Sequence, residues 1–246
     1  MSFTWTSCRK LEISLFAVLI ANFCCQALGQ KQDRMIDPLK IAHISEDFSV
    51  TELDSKNWNR AQRVNISSYW SGQAAPRGRG FSAKLLWSDG ALYVRFEGPQ
   101  TEPLVVSDKP DLTKKTLGLW DRDVCEIFIA PDHTKPNKYF EFEVAPTGEW
   151  VDLGIEVLPN KRATDWDYVS GMLSVALITK DHIVLALRVP WTAFGRMPKP
   201  GEKWRGNLFR CVGKDPNRGY LAWQPTMTKE PAFHVPEKFG TFIFVG

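Results

Sequence analysis

Val124-Cys125-Glu126-Ile127-Phe128-Ile129-Ala130 and Tyr139-Phe140-Glu141-Phe142-Glu143-Val144-Ala145 decide the fold. Side chains of a strand point to opposite faces in turn, so an apolar period of two marks a half-buried strand. In the first stretch Cys125, Ile127 and Ile129 share a face; in the second Phe140, Phe142 and Val144 do. The loop Pro131–Lys138 joins them as a hairpin. Its register must keep both apolar faces on one side, because a slip of one residue turns every side chain over. Ile127 opposite Phe142 and Ile129 opposite Phe140 satisfies this. Glu126 then faces Glu143, and Phe128 faces Glu141, so three carboxylates gather on the face turned away from the apolar one.

Outward from this hairpin the same period recurs. Phe81, Ala83, Leu85 and Trp87 alternate, Ser88-Asp89-Gly90 makes a turn, and Leu92, Val94 and Phe96 alternate back. Further strands are expected at 150–157, 173–178, 183–189, 207–212, 220–223 and 241–245, with a short helical turn at 190–195. Sixteen Pro and seventeen Gly interrupt the chain frequently, and there is no long amphipathic stretch. About ten strands separated by turns predict an all-β fold: an antiparallel two-sheet β-sandwich, in one domain spanning residues 46–246.

The first residues carry a different signal. Arg9 and Lys10 precede an apolar stretch from Leu11 to Cys25, and Ala27-Leu28-Gly29 ends in small residues. This is the pattern of a signal peptide covering residues 1–29, with cleavage before Gln30. It predicts a secreted or periplasmic protein, with residues 30–45 as a linker and no membrane span in the mature chain. Removal of Arg9, Lys10 and Glu12 changes the net charge from +3 to +2. Such a balance argues against a nucleic acid partner. Of five cysteines only Cys125 and Cys211 remain, as one disulfide or two buried thiols. Asn65-Ile66-Ser67 fits an N-glycosylation acceptor.

Motifs for nucleotide, zinc-protease and serine-hydrolase chemistry are missing: there is no GxxxxGK[ST], HExxH, GxSxG or CxxC. What remains is the acidic face. Directly opposed like charges destabilise a sheet. They are relieved by solvent screening, a proton, a cation, a base such as Arg95, or a hydroxyl-rich ligand. Trp120 stands just before the first strand, outside any apolar alternation and flanked by Asp121 and Asp123. An indole beside placed carboxylates makes a floor and polar rim for a sugar ring. Trp150, Trp166 and Trp223 are expected in the core or at the rim.

Several stretches together resemble the family-9 carbohydrate-binding modules and related DOMON-like sandwich domains. They are Asn57-Trp58, Leu92-Tyr93-Val94, Leu119-Trp120-Asp121-Arg122-Asp123-Val124-Cys125-Glu126-Ile127-Phe128-Ile129, Tyr139-Phe140-Glu141-Phe142-Glu143-Val144, Arg188-Val189-Pro190-Trp191 and Pro236-Glu237-Lys238-Phe239-Gly240. The resemblance implies a β-sandwich that grips the terminal sugar of a glucan or xylan chain between two aromatic rings. It implies Trp120 as one ring, Phe233 where the second (a Trp in the sugar-binding type) is expected, and Glu126 as a carboxylate bonding sugar hydroxyls. Glu141 and Glu143 fall on or near positions where the family places a Gln and an Arg. These two depart from the family pattern and come from the acidic face instead, as does Arg95; the ligand set expected is Trp120, Glu126, Glu141, Glu143, Phe233 and Arg95. The resemblance also implies structural calcium. Three other readings stand beside it. Glu126 and Glu143 can be read as a glycosidase pair. Related sandwiches hold a b-type haem, for which Met197, Met227 and His234 are candidates. The acidic face can also be read as the seat of a protein partner.

Overall fold

A computed structural model describes Met1 and residues 38–246. The proposed signal peptide after Met1 and half of the proposed linker, residues 30–37, lie outside the described residues. Thirteen strands form among the described residues, and no α-helix does. They are β1 (Leu39–His43), β2 (Arg63–Ile66), β3 (Phe81–Trp87), β4 (Ala91–Pro99), β5 (Val124–Ala130), β6 (Lys138–Val144) and β7 (Trp150–Leu158), then β8 (Lys161–Asp165), β9 (Leu173–Ile178), β10 (His182–Pro190), β11 (Lys203–Val212), β12 (Gly219–Ala222) and β13 (Gly240–Val245).

Hydrogen bonding follows one path, β8-β7-β6-β5-β11-β13-β1-β3-β4-β10-β9. The path folds over into the two layers of the predicted sandwich. Two strands make the turn possible by dividing an edge. β11 gives Lys203–Gly206 to β13 and Phe209–Val212 to β12. β3 likewise divides its edge between β1 and β2. β6 of one layer packs over β9 and β10 of the other. Between the layers lie Ile127, Phe142, Leu208 and Trp204 from one side and Leu85, Val94, Phe96 and Leu185 from the other. Each such side chain contributes about 1.5–3 kcal/mol by leaving water.

The hairpin register follows the apolar alternation: Ile127 faces Phe142, Ile129 faces Phe140, Glu126 faces Glu143 and Phe128 faces Glu141. The β3–β4 hairpin closes on Ser88-Asp89-Gly90, with Trp87 opposite Leu92. A 3-10 turn forms at Trp191–Phe194.

Three short strands escape the apolar period. β1 lies inside the stretch expected to be linker, and among the described residues it is the one strand with parallel neighbours on both sides, β13 and β3. Leu39 and Ile41 are fully buried there, so the domain extends upstream of residue 46. β2 and β8 are edge strands and mostly exposed. Cys125 and Cys211 are both buried free thiols. Cys125 points into the core between the layers and Cys211 to the opposite face of the sheet. The two therefore cannot be bridged across β5 and β11. Burial pushes the Cys125 thiol up to about 12 and raises Cys211 as well.

Gly206 marks the tightest point of the bend. A Cβ there would come within 2.2 Å of the Phe128 carbonyl oxygen and 2.3 Å of the Phe242 ring.

Candidate functional site

The outer face of β5, β6, β7 and β11 was expected to be polar and wet, and here the structure departs from the sequence reading. Val124, Phe128, Tyr139, Val151, Leu153, Phe209 and Cys211 make it a second apolar cluster, covered by Leu119 and Phe239. The carboxylates are enclosed in this cluster. Glu126 is 2% exposed, Glu141 3% and Glu143 0%. The covering segments carry little apolar alternation of their own, so nothing in the strand pattern announced them.

The segment Leu119–Asp121 is a 3-10 turn entered through Gly118, whose φ of 79° is left-handed and favours glycine. Two arginines fasten it. Arg122 reaches the buried Glu149 at 3.2 Å. Arg218 donates to the carbonyl oxygens of Trp120, Arg122 and Gly213, and its guanidinium lies 5.5 Å from the Tyr220 ring centre. Trp120 is thereby held half-buried, with its ring 6.2 Å from that of Trp166. Across the sheet Phe233 stacks on Phe209, with centroids 4.0 Å apart and planes 11° from parallel. His234 packs 5.1 Å from Phe128 and shares a 2.7 Å hydrogen bond with the Tyr139 hydroxyl.

Between these segments is a pocket of about 360 Å³, within the range that holds small organic ligands. Trp120, Trp166, Tyr220 and Phe233 supply its rings; Glu126 and Glu141 stand in its wall, with Arg162, Thr164, Asp121 and His234. Glu143 lies behind Glu126 and Glu141. Carboxylate oxygens of the three all come within 4.8 Å of one another. Glu126 accepts a 3.5 Å hydrogen bond from the Cys211 thiol. No N–H donor of the protein reaches either oxygen of Glu143 or one oxygen of Glu141; only the neighbouring carboxyl groups are close enough to share a proton with them. Burial, reinforced by neighbouring carboxylates, holds Glu126 and Glu143 well above the usual carboxylate range, and burial raises Glu141. His234, 3.9 Å from Glu141, is driven down to about 3 by burial and by Arg162. It is neutral near pH 7 and gives the acids no compensating charge.

Of the six residues predicted from sequence, Trp120, Glu126, Glu141 and Phe233 line this pocket and Glu143 backs it. Arg95 does not belong to it. It sits on β4 of the other layer, bonded to Glu97 at 2.7 Å and to the Leu53 carbonyl at 3.1 Å. Its place in the sequence alternation gave no hint of which layer it occupied. Trp150 packs against the core and Trp223 is buried in it, whereas Trp166 is 46% exposed at the pocket. Arg162, Thr164 and Arg218 were missed. The Pro159-Asn160 turn that returns β7 into β8 was the available signal for the first two.

The same geometry bears on the other readings. A glycosidase pair needs both carboxyls at the ligand, and Glu143 lies behind the pocket wall. Met227 and Met197 are exposed away from the pocket lining, so His234 has neither as an opposite axial partner. Calcium takes six to eight oxygens. The three carboxylates lie close enough to share an ion, and the neighbouring Phe128, Leu153 and Cys211 add no oxygen to them.

The model of the family described as carbohydrate family 9 binding domain-like matches residues 52–246. The chain belongs to that family. No curated protein matches the chain. Among solved structures, this family 9 chain resembles a carbohydrate-binding module family 9 from Caldicellulosiruptor kristjanssonii in complex with cellotriose. The TM-score is 0.60 at 16% identity, covering 85% of this chain and 94% of that one. The same organism's module in complex with glucose gives 0.59 at 17%, covering 84% and 96%. A Bacteroides uniformis ATCC 8492 protein regarded as a candidate carbohydrate binder gives 0.67 at 16%, covering 84% and 98%. At such identities the likeness establishes the shared sandwich.

Proposed function

We propose that this family 9 module binds carbohydrate by gripping the terminal sugar of a polysaccharide or oligosaccharide in the pocket beside Trp120. One observation carries the reading: exposed edges of Trp120, Trp166 and Phe233 border a cavity whose wall also holds Glu126 and Glu141. The C–H face of a pyranose stacks on an aromatic ring while its hydroxyls donate to carboxyl oxygens. Membership of the family supports this ligand class, as do the cellotriose and glucose complexes of the Caldicellulosiruptor modules. Glucan and xylan ends are the candidates to test first.

Calorimetric titration with cellotriose and xylotriose tests the reading. Binding between millimolar and micromolar is expected, about 4–8 kcal/mol, with loss of the heat in Trp120→Ala. Unchanged heat in that variant places the site elsewhere. Export belongs to the same reading, supported by Arg9, Lys10 and the apolar stretch from Leu11 to Cys25. Expressed with its own N-terminus, the exported protein is expected to begin at Gln30. Recovery from the cytoplasm with residues 1–29 intact contradicts it.

A further inference from the structure

We propose that the pocket prefers an amine-bearing sugar over a neutral or acidic one, its ammonium group lodging between Glu126 and Glu141 with Glu143 behind them. The proposal rests on the sugar-site reading above and narrows its ligand class. Three carboxyl groups meet within 4.8 Å at the pocket wall. Glu143 is fully buried behind the wall, and no N–H donor of the protein reaches either of its oxygens or the buried oxygen of Glu141 in the wall itself, a costly state for a carboxylate.

The protein does little to neutralise the group from within. From the loop above, His234 is held near its Tyr139 partner 3.9 Å from Glu141. From β12's approach, Arg218 spends its donors on the carbonyls of Trp120, Arg122 and Gly213. From β8, Arg162 is exposed at the outer wall. From the 3-10 turn, Asp121 adds another acid to the lining, and from β11 Cys211 donates only its thiol hydrogen. Arg218 and Arg162 act on Glu126 and Glu141 from a distance, but neither bonds to them, and a bonded cation is left for a ligand to bring.

A metal ion in the same place would have to take its oxygens from the three carboxylates alone, since Phe128, Leu153 and Cys211 beside them offer none. An ammonium on a ring finds what it needs: carboxyl acceptors for its three N–H donors and indole faces for the ring and the cation. A uronic acid in the same place adds a further acid to a cluster that already holds three. On binding, the ligand's ammonium stays protonated, and a proton held among the three carboxyls leaves to solvent. No bond is made or broken between heavy atoms.

Titration of the whole protein with the fully deacetylated glucosamine trimer, its tri-N-acetylated form and cellotriose, at about pH 6 where a sugar amine is charged, tests this. The amine trimer is expected to bind at least about tenfold tighter than cellotriose. Its titration in two buffers of different ionisation heat should show net proton release, and the cellotriose titration none. In Glu126→Gln and Glu141→Gln the ratio of the two affinities should fall toward one, with the proton release lost. Cellotriose binding as tightly as the amine trimer overturns the amine preference while leaving the sugar site standing. An undiminished ratio in both variants also overturns it. Calcium binding that displaces the amine and disappears in both variants overturns it in favour of a metal site. If none of the three trimers binds, the sugar-site reading falls together with it.

Discussion

Glu143 concentrates the tension in this molecule. It is fully buried and directly opposed to Glu126, and no N–H donor of the protein reaches it. Its folded proton affinity exceeds that of an unfolded glutamate, so the folded state keeps a proton that the unfolded chain releases as pH rises. Stability from this group is therefore complete below the ordinary glutamate range and declines as pH climbs through and above it. Glu143→Gln keeps the shape and removes the acid. Denaturant titration at pH 7 should show a gain on the order of 1–3 kcal/mol, set by the proton that the unfolded chain releases at that pH and the folded state keeps. The gain should vanish near pH 4. A loss of stability at pH 7 contradicts this reading of the cluster. His234 works in the opposite direction. Its depressed value means that stability is full above the ordinary histidine range and is lost as pH falls toward about 3. The acids were legible in the sequence because strand alternation fixes the face each side chain takes. Their burial was not, because the side chains that cover them come from turns, where no period exists to read.

The element that makes the site is the short turn carrying Trp120. It has few backbone hydrogen bonds of its own and is held by Gly118, by the Arg122–Glu149 pair and by Arg218. Arg218→Ala removes three donors to backbone carbonyls and leaves Trp120 free to move. Sugar affinity should fall about tenfold or more, a coupling of about 1.4 kcal/mol. The loss in global stability should be smaller than that caused by truncating a core residue such as Phe142. Equal damage to both would mean that the turn is structural only. β8 tells the same story from the other side of the pocket. Its residues, Lys-Arg-Ala-Thr-Asp, form an exposed edge with no apolar alternation. Pairing to β7 alone makes it a strand, so Arg162 and Thr164 were invisible as site residues until the partner strand was in place.

At the scale of the whole molecule, β1 joins the two layers. It lies between β13 and β3, and it is the link through which one layer passes into the other. A chain begun at Glu46, where the sequence placed the domain boundary, would leave both partner edges open and bury nothing where Leu39 and Ile41 now sit. Such a chain is expected not to fold cooperatively, and Ile41→Ala in the longer chain should cost about 2–5 kcal/mol. A cooperative melt from the shortened chain contradicts this. Five residues are too few for a period to stand out, and β1 follows polar sequence, so only its tertiary partners identify it. The hairpins, by contrast, are long and correctly registered by their own alternation.

A crystal of the protein soaked with cellotriose shows whether the cavity beside Trp120 seats a sugar ring. The expected result is a terminal ring against the Trp120 indole, with hydroxyls on Glu126 and Glu141 and Phe233 at its edge. A sugar bound on another face of the sandwich, with this pocket holding only water, would contradict it.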